Sequence, residues 1–246
     1  MRKMGRKGED KQTKRSKAPS FWAIQRKEKR FTVTTSPGPH GIEESYPLTV
    51  LIRDVLKIVN TFREASNIIR DEKIMVDGVV RKDPNFPVGL MDVLQIPLLE
   101  KSYRMVPIKG SVLAPIRIPD SENNQKLCKV QRKATVHKDK IQYGFHDGRS
   151  ILAESETDLS PGDVCLLEIP SQNIKRVVVL KKGVLALVVK GKRVGKIGQI
   201  KEIRPGTITR RKMVDLEIEG VIAELPADMI IAVGDDKPLV TLVGGE

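Results

Sequence analysis

The chain of 246 residues has few of the residue types that build metal or redox sites. It contains two cysteines, Cys128 and Cys165, which lie in separate apolar runs without a CxxC pair. This arrangement indicates neither a zinc site nor a disulfide, so both are expected to be reduced packing residues. The three histidines are far apart in sequence and form no metal or catalytic pattern. We therefore expect no metal, no other cofactor and no catalytic residue.

Long uncharged apolar runs are also missing from the sequence. A membrane-spanning helix needs roughly 18 to 20 such residues, and no segment approaches that length. The basic start of the chain is not followed by the apolar core of a signal peptide. The sequence therefore predicts a cytoplasmic protein with no membrane partner.

Positive charge is abundant and is concentrated in two blocks. The net formal charge is +13, to which residues 1–45 contribute +7 and residues 174–213 contribute +12. Residues 46–173 are nearly balanced at +1, and residues 214–246 carry −7. One such block is commonly only a solvated surface. Two blocks favour a polyanionic partner, nucleic acid first, because clustered Lys and Arg displace counterions from phosphates.

Residues 1–46 are predicted to be a basic N-terminal extension. Residues 1–30 lack apolar periodicity and are rich in Arg, Lys, Ser and Thr, so we expect them to become ordered on a partner. Trp22, the only tryptophan, lies among cations in "SFWAIQRKEKRF". It would suit stacking on bases, or it would equally pin the extension onto the following domain. The candidate RNA-binding residues of this segment are Arg6, Lys7, Lys14, Arg15, Lys17, Trp22, Arg26, Lys27, Lys29, Arg30 and His40.

Two helices are predicted after the extension. Apolar residues recur every three or four positions over residues 48–59, which indicates an amphipathic helix with Arg53 and Lys57 on its polar face. Thr61 and Glu64 have the spacing of a capping box at the start of a second helix. The predicted apolar face of that second helix contains Phe62, Ala65, Ile68 and Ile69.

Strand and turn signals follow the helices. Asp77 and Gly78 lie between two β-branched runs and predict a hairpin with a type I′ turn. The stretch "FPVGLMDVLQIP" predicts a turn at Val88 and Gly89 and then a strand over residues 93–96.

This order of elements resembles the S-four RNA-binding domain, a small α+β module found in ribosomal proteins, pseudouridine synthases and some tRNA synthetases. The resemblance covers residues 47–105 and rests on "RDVLKIV", "REASNIIRDEKIMVDGVV" and "FPVGLMDVLQI". The family often opens its second helix with Ser-Arg or Ala-Arg, so Arg63 is the nearest match, although the acidic Glu64 follows it. The resemblance implies an RNA-binding surface, whereas the alternative is a set of solubilising residues balanced by acids. The candidates are Arg53, Lys57, Arg63, Arg70, Arg81 and Lys82.

Residues 106–177 have a different pattern. Short β-rich runs such as "KLCKVQRKATVH", "KIQYGFHDGRSIL" and "DVCLLEIP" are separated by turn signals, for example at Asp147 and Gly148. No long helical stripe appears in this part of the sequence. We expect a central β-rich domain, either a small barrel or a sandwich.

The glycine-rich stretch "GKRVGKIG" at residues 191–198 suggests a phosphate loop, but its spacing excludes one. A P-loop has four residues between its first glycine and Gly-Lys, followed by Ser or Thr, whereas this stretch has three residues and then Ile197. The glycine spacing also fails the dinucleotide fingerprint. Because "VLALVV" precedes it and "QIKEI" follows it, the stretch predicts a turn between two strands, with Gly195 and Gly198, like Gly78, as structural glycines.

In this setting "VVKGKRVGKIGQIKEI" resembles the KOW motif of small SH3-like barrels in ribosomal proteins and transcription elongation factors. Gly198 matches the central glycine of that motif. The resemblance implies a C-terminal SH3-like barrel over residues 178–246. It adds Lys190, Lys192, Arg193 and Lys196 to the candidate RNA-binding residues.

The whole chain resembles the S-four-e family of archaeal and eukaryotic small-subunit ribosomal proteins, with an archaeal-like length. The similarity rests on "APSFWA", "SPGPHGIEESYPL", "FPVGLMDV", "KLCKV", "HDGRSI" and "GKIGQI". It implies a multi-domain, mostly β protein of the α+β class that acts in translation without catalysis. The implied partners are small-subunit ribosomal RNA and neighbouring ribosomal proteins, with the protein a monomer in the assembly and no small-molecule substrate.

Two alternatives from other classes remain open at the level of the sequence. An RNA-modifying enzyme such as a pseudouridine synthase often carries an S-four-like domain. Such an enzyme also needs a catalytic domain, for which the short strands after residue 105 leave little room. A free transcription or RNA-chaperone factor with a KOW barrel is the second alternative.

Overall fold

The computed structural model describes residues 13–108, 111–136, 140–153 and 159–242. Most regular structure in these residues is antiparallel β-sheet, arranged as three five-stranded sheets and two short strand pairs. No helix within the described ranges is long and apolar enough to cross a membrane. The mostly β architecture agrees with the fold class predicted from the sequence. Candidate residues Arg6 and Lys7 lie outside the described residues.

The N-terminal extension packs on the S-four-like module through a small aromatic cluster. Its strands β1 (Thr13–Lys14) and β2 (Phe31–Thr32) pair with each other, and β3 (Ser45–Pro47) pairs with β6 (Pro87–Gly89). The ring of Trp22 is buried and stacks on Tyr46 with 6.1 Å between the ring centroids. The indole Nε1 of Trp22 donates a hydrogen bond of 2.9 Å to the carbonyl of Ser45. Trp22 also shares one buried core with Leu48 and Val88, so it anchors the extension to the S-four-like module.

The first helix of the S-four-like module is shorter than the sequence predicts. Helix α1 (Leu48–Val50) continues as a π-helical segment, Leu51–Val55, and the chain then leaves the helical path. Lys57 adopts the left-handed conformation with φ of 53°, which an α-helix does not contain. Arg53 is therefore on the helix and Lys57 is beyond its end.

The second helix begins where its capping signal predicts. Helix α2 (Phe62–Arg70) has the complete capping box: the Thr61 hydroxyl accepts the Glu64 N–H at 3.2 Å, and the Glu64 carboxylate accepts the Thr61 N–H at 3.4 Å. Ala65 and Ile69 are buried as predicted, but Phe62 is exposed. Phe62, in the first turn, keeps 47% of its surface exposed.

The hairpin after α2 has the predicted turn. Strands β4 (Met75–Val76) and β5 (Val79–Val80) pair around Asp77 and Gly78, with φ of 54° and 73°. Two positive φ angles are what a type I′ turn requires, and glycine adopts them at low cost. The next turn follows Gly89 instead of including it, because residues 87–89 form strand β6.

One sheet continues from the S-four-like module past residue 105. Its strand order is β5-β4-β7-β8-β9, where β7 is Val93–Ile96, β8 is Lys101–Ile108 and β9 is Ser111–Arg117. The hairpin of β8 and β9 therefore crosses the position at which the sequence places a boundary.

The central sheet has the strand order β12-β11-β10-β13-β14. Its strands are β10 (Gln125–Thr135), β11 (Ile141–Phe145), β12 (Ser150–Ala153), β13 (Val164–Glu168) and β14 (Asn173–Val178). Cys128 and Cys165 are opposite each other in register on β10 and β13, and both are free and buried. Burial raises the pKa of the Cys165 thiol to about 12, so this thiol is protonated and packs as a small apolar group.

The C-terminal sheet has the order β18-β17-β16-β15-β19. Its strands are β15 (Leu185–Val188), β16 (Ile197–Arg204), β17 (Met213–Ile218), β18 (Val221–Pro226) and β19 (Ile230–Gly234), with a short 3-10 helix, Ala227–Met229, before the last. A Cβ on Gly198 would lie 2.4 Å from the carbonyl oxygen of Glu217, so close strand contact requires glycine there. Gly195 has φ of 81° in the preceding turn.

Candidate nucleic-acid interface

Helix α2 presents two of the predicted cations on one face. Arg63 and Arg70 are both exposed, and neither has an ion-pair partner among the described residues. They are seven residues apart, so a helix with 3.6 residues per turn places them on the same side, about 10 Å apart along its axis. This face forms a stripe of unpaired guanidinium groups.

The other predicted cations of the module differ in their partners. The Arg53 guanidinium contacts both carboxylate oxygens of Asp54, at 3.0 and 2.7 Å. Lys82 forms a 2.6 Å ion pair with Glu72, and both side chains are well exposed. Lys57 is exposed without a recorded ion pair in the described chain. The pair of Lys82 and Glu72 is exposed, and exposed ion pairs contribute about 0–1 kcal/mol, so this pair adds little to stability.

The loop between β15 and β16 of the C-terminal sheet carries the four cations that the sequence predicts there. Lys192 and Arg193 are exposed and lack an acidic partner within the described ranges. Lys196 pairs with Glu219 at 2.6 Å. Lys190 forms an ion pair with Glu44 of the N-terminal extension, which brings this loop next to the extension.

The extension itself divides into exposed and buried candidates. The cations that remain exposed are Lys14, Lys17, Arg26, Lys27, Lys29 and Arg30. The guanidinium of Arg26 is nevertheless occupied, because it donates to the carbonyls of Arg15, Ala18 and Pro19 at 2.7 to 3.2 Å. The free lysines are therefore the better phosphate contacts of this segment.

Three predicted RNA contacts are inside the protein and do not belong to this surface. Trp22 is the aromatic anchor described above, so its role in stacking on bases is replaced by the alternative of pinning the extension. The buried guanidinium of Arg15 bonds to the carbonyls of Gln25 and Phe31. His40 is buried against Asp92, with 3.1 Å between Nε2 and Oδ1. In each case a protein partner satisfies a polar group that burial would otherwise penalise.

The protein also contains a buried charge cluster that the sequence patterns did not predict. Lys126, on β10, is fully buried, and its Nζ lies 2.7 Å from Asp77, 2.6 Å from Asp92 and 2.8 Å from Asp147. Arg149 contacts Asp77 at 2.6 Å and Asp147 at 3.2 Å. We call Lys126, these three aspartates, Arg149 and His40 the Lys126 cluster.

Within the cluster, attraction between opposite charges offsets burial for most of the ionisable groups. Burial disfavours the ammonium of Lys126, but Asp77 and Asp92 outweigh that penalty and raise its pKa well above the usual value. Burial likewise favours neutral acids, yet His40 and Lys126 lower the pKa of Asp92, and Lys126 lowers that of Asp147 to about 2. Asp77 is the one carboxyl of the three for which burial prevails and raises the pKa.

The aspartates carry backbone contacts as well as charge. Asp77 accepts the N–H of Val93 at 2.9 Å, and Asp92 accepts the N–H of Gly89 at 2.8 Å. The cluster thus joins the hairpin turn, the turn before β7 and the central strand β10. A usable sequence signal was present: Asp occurs in "VDG", "MDV" and "HDG", and each time it is next to apolar or turn residues that favour burial.

The neighbouring Cys128, His146 and Asp147 place their ligand atoms within 4.8 Å of one another, which is close enough to consider a metal ion. The hydrogen bonds and charges around these three residues oppose metal binding. Both ring nitrogens of His146 are occupied, one by the Lys129 N–H and the other at the Leu90 carbonyl, each at 3.2 Å. Burial and the nearby Lys126 lower the pKa of His146 to about 4. With Asp147 neutralised by ammonium and guanidinium, these residues do not fit a metal ion.

Three family models match successive parts of the chain. The RS4NT (NUC023) domain matches residues 7–43, the S4 domain matches residues 50–94, and Ribosomal family S4e matches residues 99–174. The S4 match falls on the helices and hairpin that carry Arg63 and Arg70. The three matches together extend from residue 7 to residue 174.

Similar proteins cover nearly the whole chain. The small ribosomal subunit protein eS4 of Korarchaeum cryptofilum is 41% identical over 97% of this chain and 100% of its own length. That of Desulfurococcus amylolyticus is 40% identical over 98% and 99%. The crystal structure of the 30S ribosomal protein S4e from Thermoplasma acidophilum superimposes with a TM-score of 0.69 at 28% identity, covering 81% of this chain and 99% of that one. From its sequence and its fold, the chain belongs to Ribosomal family S4e, the S-four-e family.

Proposed function

We propose that this protein is a structural constituent of the small ribosomal subunit and that it binds ribosomal RNA. The observation that carries the proposal is the near-full-length similarity to proteins named small ribosomal subunit protein eS4. The exposed cations described above support an RNA partner, because they lie in three separate modules of one chain. The same proposal places the protein in the cytoplasm, as a monomer among neighbouring ribosomal proteins.

The binding mechanism is electrostatic and distributed. The α2 stripe, the β15–β16 loop and the lysines of the extension each meet a separate stretch of RNA backbone. Cations that contact phosphate release condensed counterions, so each contact adds affinity and salt dependence. Several weak contacts on one rigid body combine, because after the first one binds the others are already close to their targets.

The modules must keep fixed positions for this mechanism, and buried polar contacts hold them. The Lys126 cluster joins the central sheet to the S-four-like module. Lys129 joins the same sheet to the barrel, because its Nζ donates to the carbonyls of Ala227 and Ile230 at 2.7 and 2.8 Å. Burial lowers the pKa of Lys129 to about 8. Preorganised modules lose little conformational entropy when RNA binds.

The protein acts without catalysis in this proposal. The buried titratable groups of the Lys126 cluster neutralise one another and bind backbone groups, which is the behaviour of a structural network.

The test is sedimentation of a cell extract through a sucrose gradient in moderately high salt, with immunodetection of the protein. We expect it to co-migrate with the small subunit in near-stoichiometric amount. If it stays at the top of the gradient, the ribosomal proposal is overturned, and a modifying enzyme or a free RNA-binding factor is favoured. An RNA modification assay with the purified protein then separates those two alternatives.

A further inference from the structure

A cleft of about 360 Å³ opens over the Lys126 cluster, between three parts of the chain. The N-terminal extension contributes Gly38 and Pro39, and the S-four-like module contributes Arg81 and Phe86. The turn between β11 and β12 contributes the third part, which consists of Gly148 and Arg149. We propose that this cleft seats one phosphodiester group of RNA, held by the guanidinium groups of Arg81 and Arg149.

Arg81 is the cation that lacks a partner in this cleft. Its guanidinium lies 4.4 Å from the ring centroid of Phe86, which fixes its plane. Its Nε atom is buried, and no hydrogen-bond acceptor for it is found among the described residues. A buried donor without an acceptor is costly, so a ligand oxygen at this position would remove the cost. An anion with several oxygens suits the planar fork of an arginine.

Arg149 supplies the second guanidinium. Two of its five N–H groups are used by Asp77 and Asp147. No further partner of this guanidinium is recorded within the described residues, and Arg149 lines the cleft, so its other N–H groups can serve a ligand there. A phosphate that contacts both arginines would therefore leave the ion pairs of Arg149 with Asp77 and Asp147 intact.

The charges of the cluster leave room for one anion. The carboxylates of Asp77, Asp92 and Asp147 are matched by Lys126, Arg149 and His40, whose pKa is raised by Asp92 against the effect of burial. Arg81 takes no part in these ion pairs, so its positive charge is not matched within the cluster. One phosphodiester, which carries one negative charge, neutralises it.

The walls of the cleft are packed before any ligand arrives. A Cβ on Gly38 would lie 2.7 Å from Cγ of Pro87, so only glycine lets the extension approach this strand. The N–H of Ser36 donates to the carbonyl of Asn85 at 2.8 Å and holds the same loop. A Cβ on Gly148 would lie 3.8 Å from Cα of Pro39, which is ordinary contact across the opening. The ligand therefore enters a formed site, at a low ordering cost.

This inference rests on the proposed function, because it assigns the phosphate to the RNA backbone. The neighbouring pair Arg81 and Lys82 provides the test. Lys82 is an exposed cation one residue away, and it pairs with Glu72. If RNA binding depends on the geometry of the cleft, substitutions of Arg81 and Lys82 have different effects. If binding depends only on a diffuse positive surface, the two substitutions have similar effects.

The experiment measures affinity of the full chain for small-subunit ribosomal RNA transcribed in vitro, at one fixed salt concentration. We expect Arg81→Gln to weaken binding about 5- to 10-fold and Lys82→Gln less than 2-fold. Arg81→Lys should also lose at least about 3-fold, because an ammonium keeps the charge but not the planar fork. Equal losses for Arg81→Gln and Lys82→Gln would overturn the site. If the wild-type protein fails to bind the RNA, the proposed function fails instead.

A second measurement makes two distinctions. It separates a ligand contact of Arg81 from a merely structural role, and it separates free phosphate from RNA as the ligand. The NMR signal of the Arg81 Nε–H group is followed in the free protein as inorganic phosphate is added. A saturable shift in the wild type and in Lys82→Gln supports the site, and a signal that does not move overturns it. Phosphate that shifts the signal but does not compete with RNA assigns the cleft to free phosphate and overturns the RNA assignment.

Discussion

Two lysines of this chain are placed in opposite environments. Lys126 is fully buried with three carboxylates within 2.8 Å, whereas Lys192 is exposed on the β15–β16 loop without an acid partner in the part of the chain that the structure describes. A buried charge survives only when it is paired, so Lys126 holds the modules together. An exposed charge needs no partner, so Lys192 remains available to a phosphate. Net charge alone does not separate these two roles.

The largest expected effect is the loss of the buried cation. Lys126→Met leaves the carboxylates of Asp77, Asp92 and Asp147 buried without their central ammonium. We expect the free energy of unfolding to fall by about 3–5 kcal/mol. Urea denaturation followed by circular dichroism measures this change. Lys192→Met is the matched control and should change stability by less than about 0.5 kcal/mol; a similar loss in both variants would contradict the comparison.

The role of the exposed cations is tested on helix α2. Arg63→Gln combined with Arg70→Gln should weaken binding to small-subunit ribosomal RNA by about 10-fold or more, with unchanged stability. The slope of log affinity against log salt should become shallower by roughly 1.5 to 2, because each phosphate contact contributes nearly one unit.

Lys101→Gln is the control for α2, since this exposed lysine is on β8, outside the predicted interface. Its affinity and salt slope should match those of the wild type. An unchanged slope in the α2 double variant would remove Arg63 and Arg70 from the interface.

The two described histidines make the stability of the protein depend on pH in opposite directions. His146 lowers stability below pH 6.5, and His40 lowers it above pH 6.5. The pKa of His146 is lowered to about 4 by burial and Lys126, so its contribution to stability is lost as the pH falls from 6.5 towards 4. Burial opposes protonation of His40, but Asp92 raises its pKa, so its contribution is present below pH 6.5 and is lost as the pH rises through the raised value.

We therefore expect stability between pH 5 and 8 to be greatest near pH 6.5, measured by urea denaturation at each pH. His146→Gln should flatten the acid side of this profile, and His40→Gln should flatten the alkaline side. A profile that keeps both slopes in both variants would show that other groups cause them.

The smallest effect is expected where a surface ion pair is removed. Glu219→Gln frees Lys196 from its 2.6 Å ion pair. Stability should change by less than about 1 kcal/mol, because an exposed pair contributes little. Affinity for RNA should rise slightly, since the loop gains one net positive charge. A stability loss comparable to that of Lys126→Met would contradict the division between buried and exposed charges.

Local signals in the sequence were sufficient for several elements. The capping box of Thr61 and Glu64 and the turn at Asp77 and Gly78 both form as predicted, because their causes are contained in three or four neighbouring residues. The mostly β character and the modular order were also recognisable from sequence. The C-terminal sheet has the strand order β18-β17-β16-β15-β19, and close strand contact accounts for Gly198 in it.

Other features depended on contacts that a local pattern does not contain. Helix α1 and its π-helical continuation end at Val55 although apolar spacing continues to residue 59, and Phe62 is exposed although it fits the apolar face of α2. Trp22, Arg15 and His40 have the composition of RNA contacts but are buried by packing of the extension. For each of them, residue type alone does not reveal which surface the folded chain covers.

The sequence by itself determined the module order, the local turns and caps, and the basic character of the chain. Only the tertiary structure decided which charges are buried. Lys126 meets Asp77 and Asp92 across 49 and 34 residues of chain, and that encounter depends on how the central sheet packs on the S-four-like module. Desolvation then makes pairing obligatory for these groups, whereas charges left in water remain free to bind a partner.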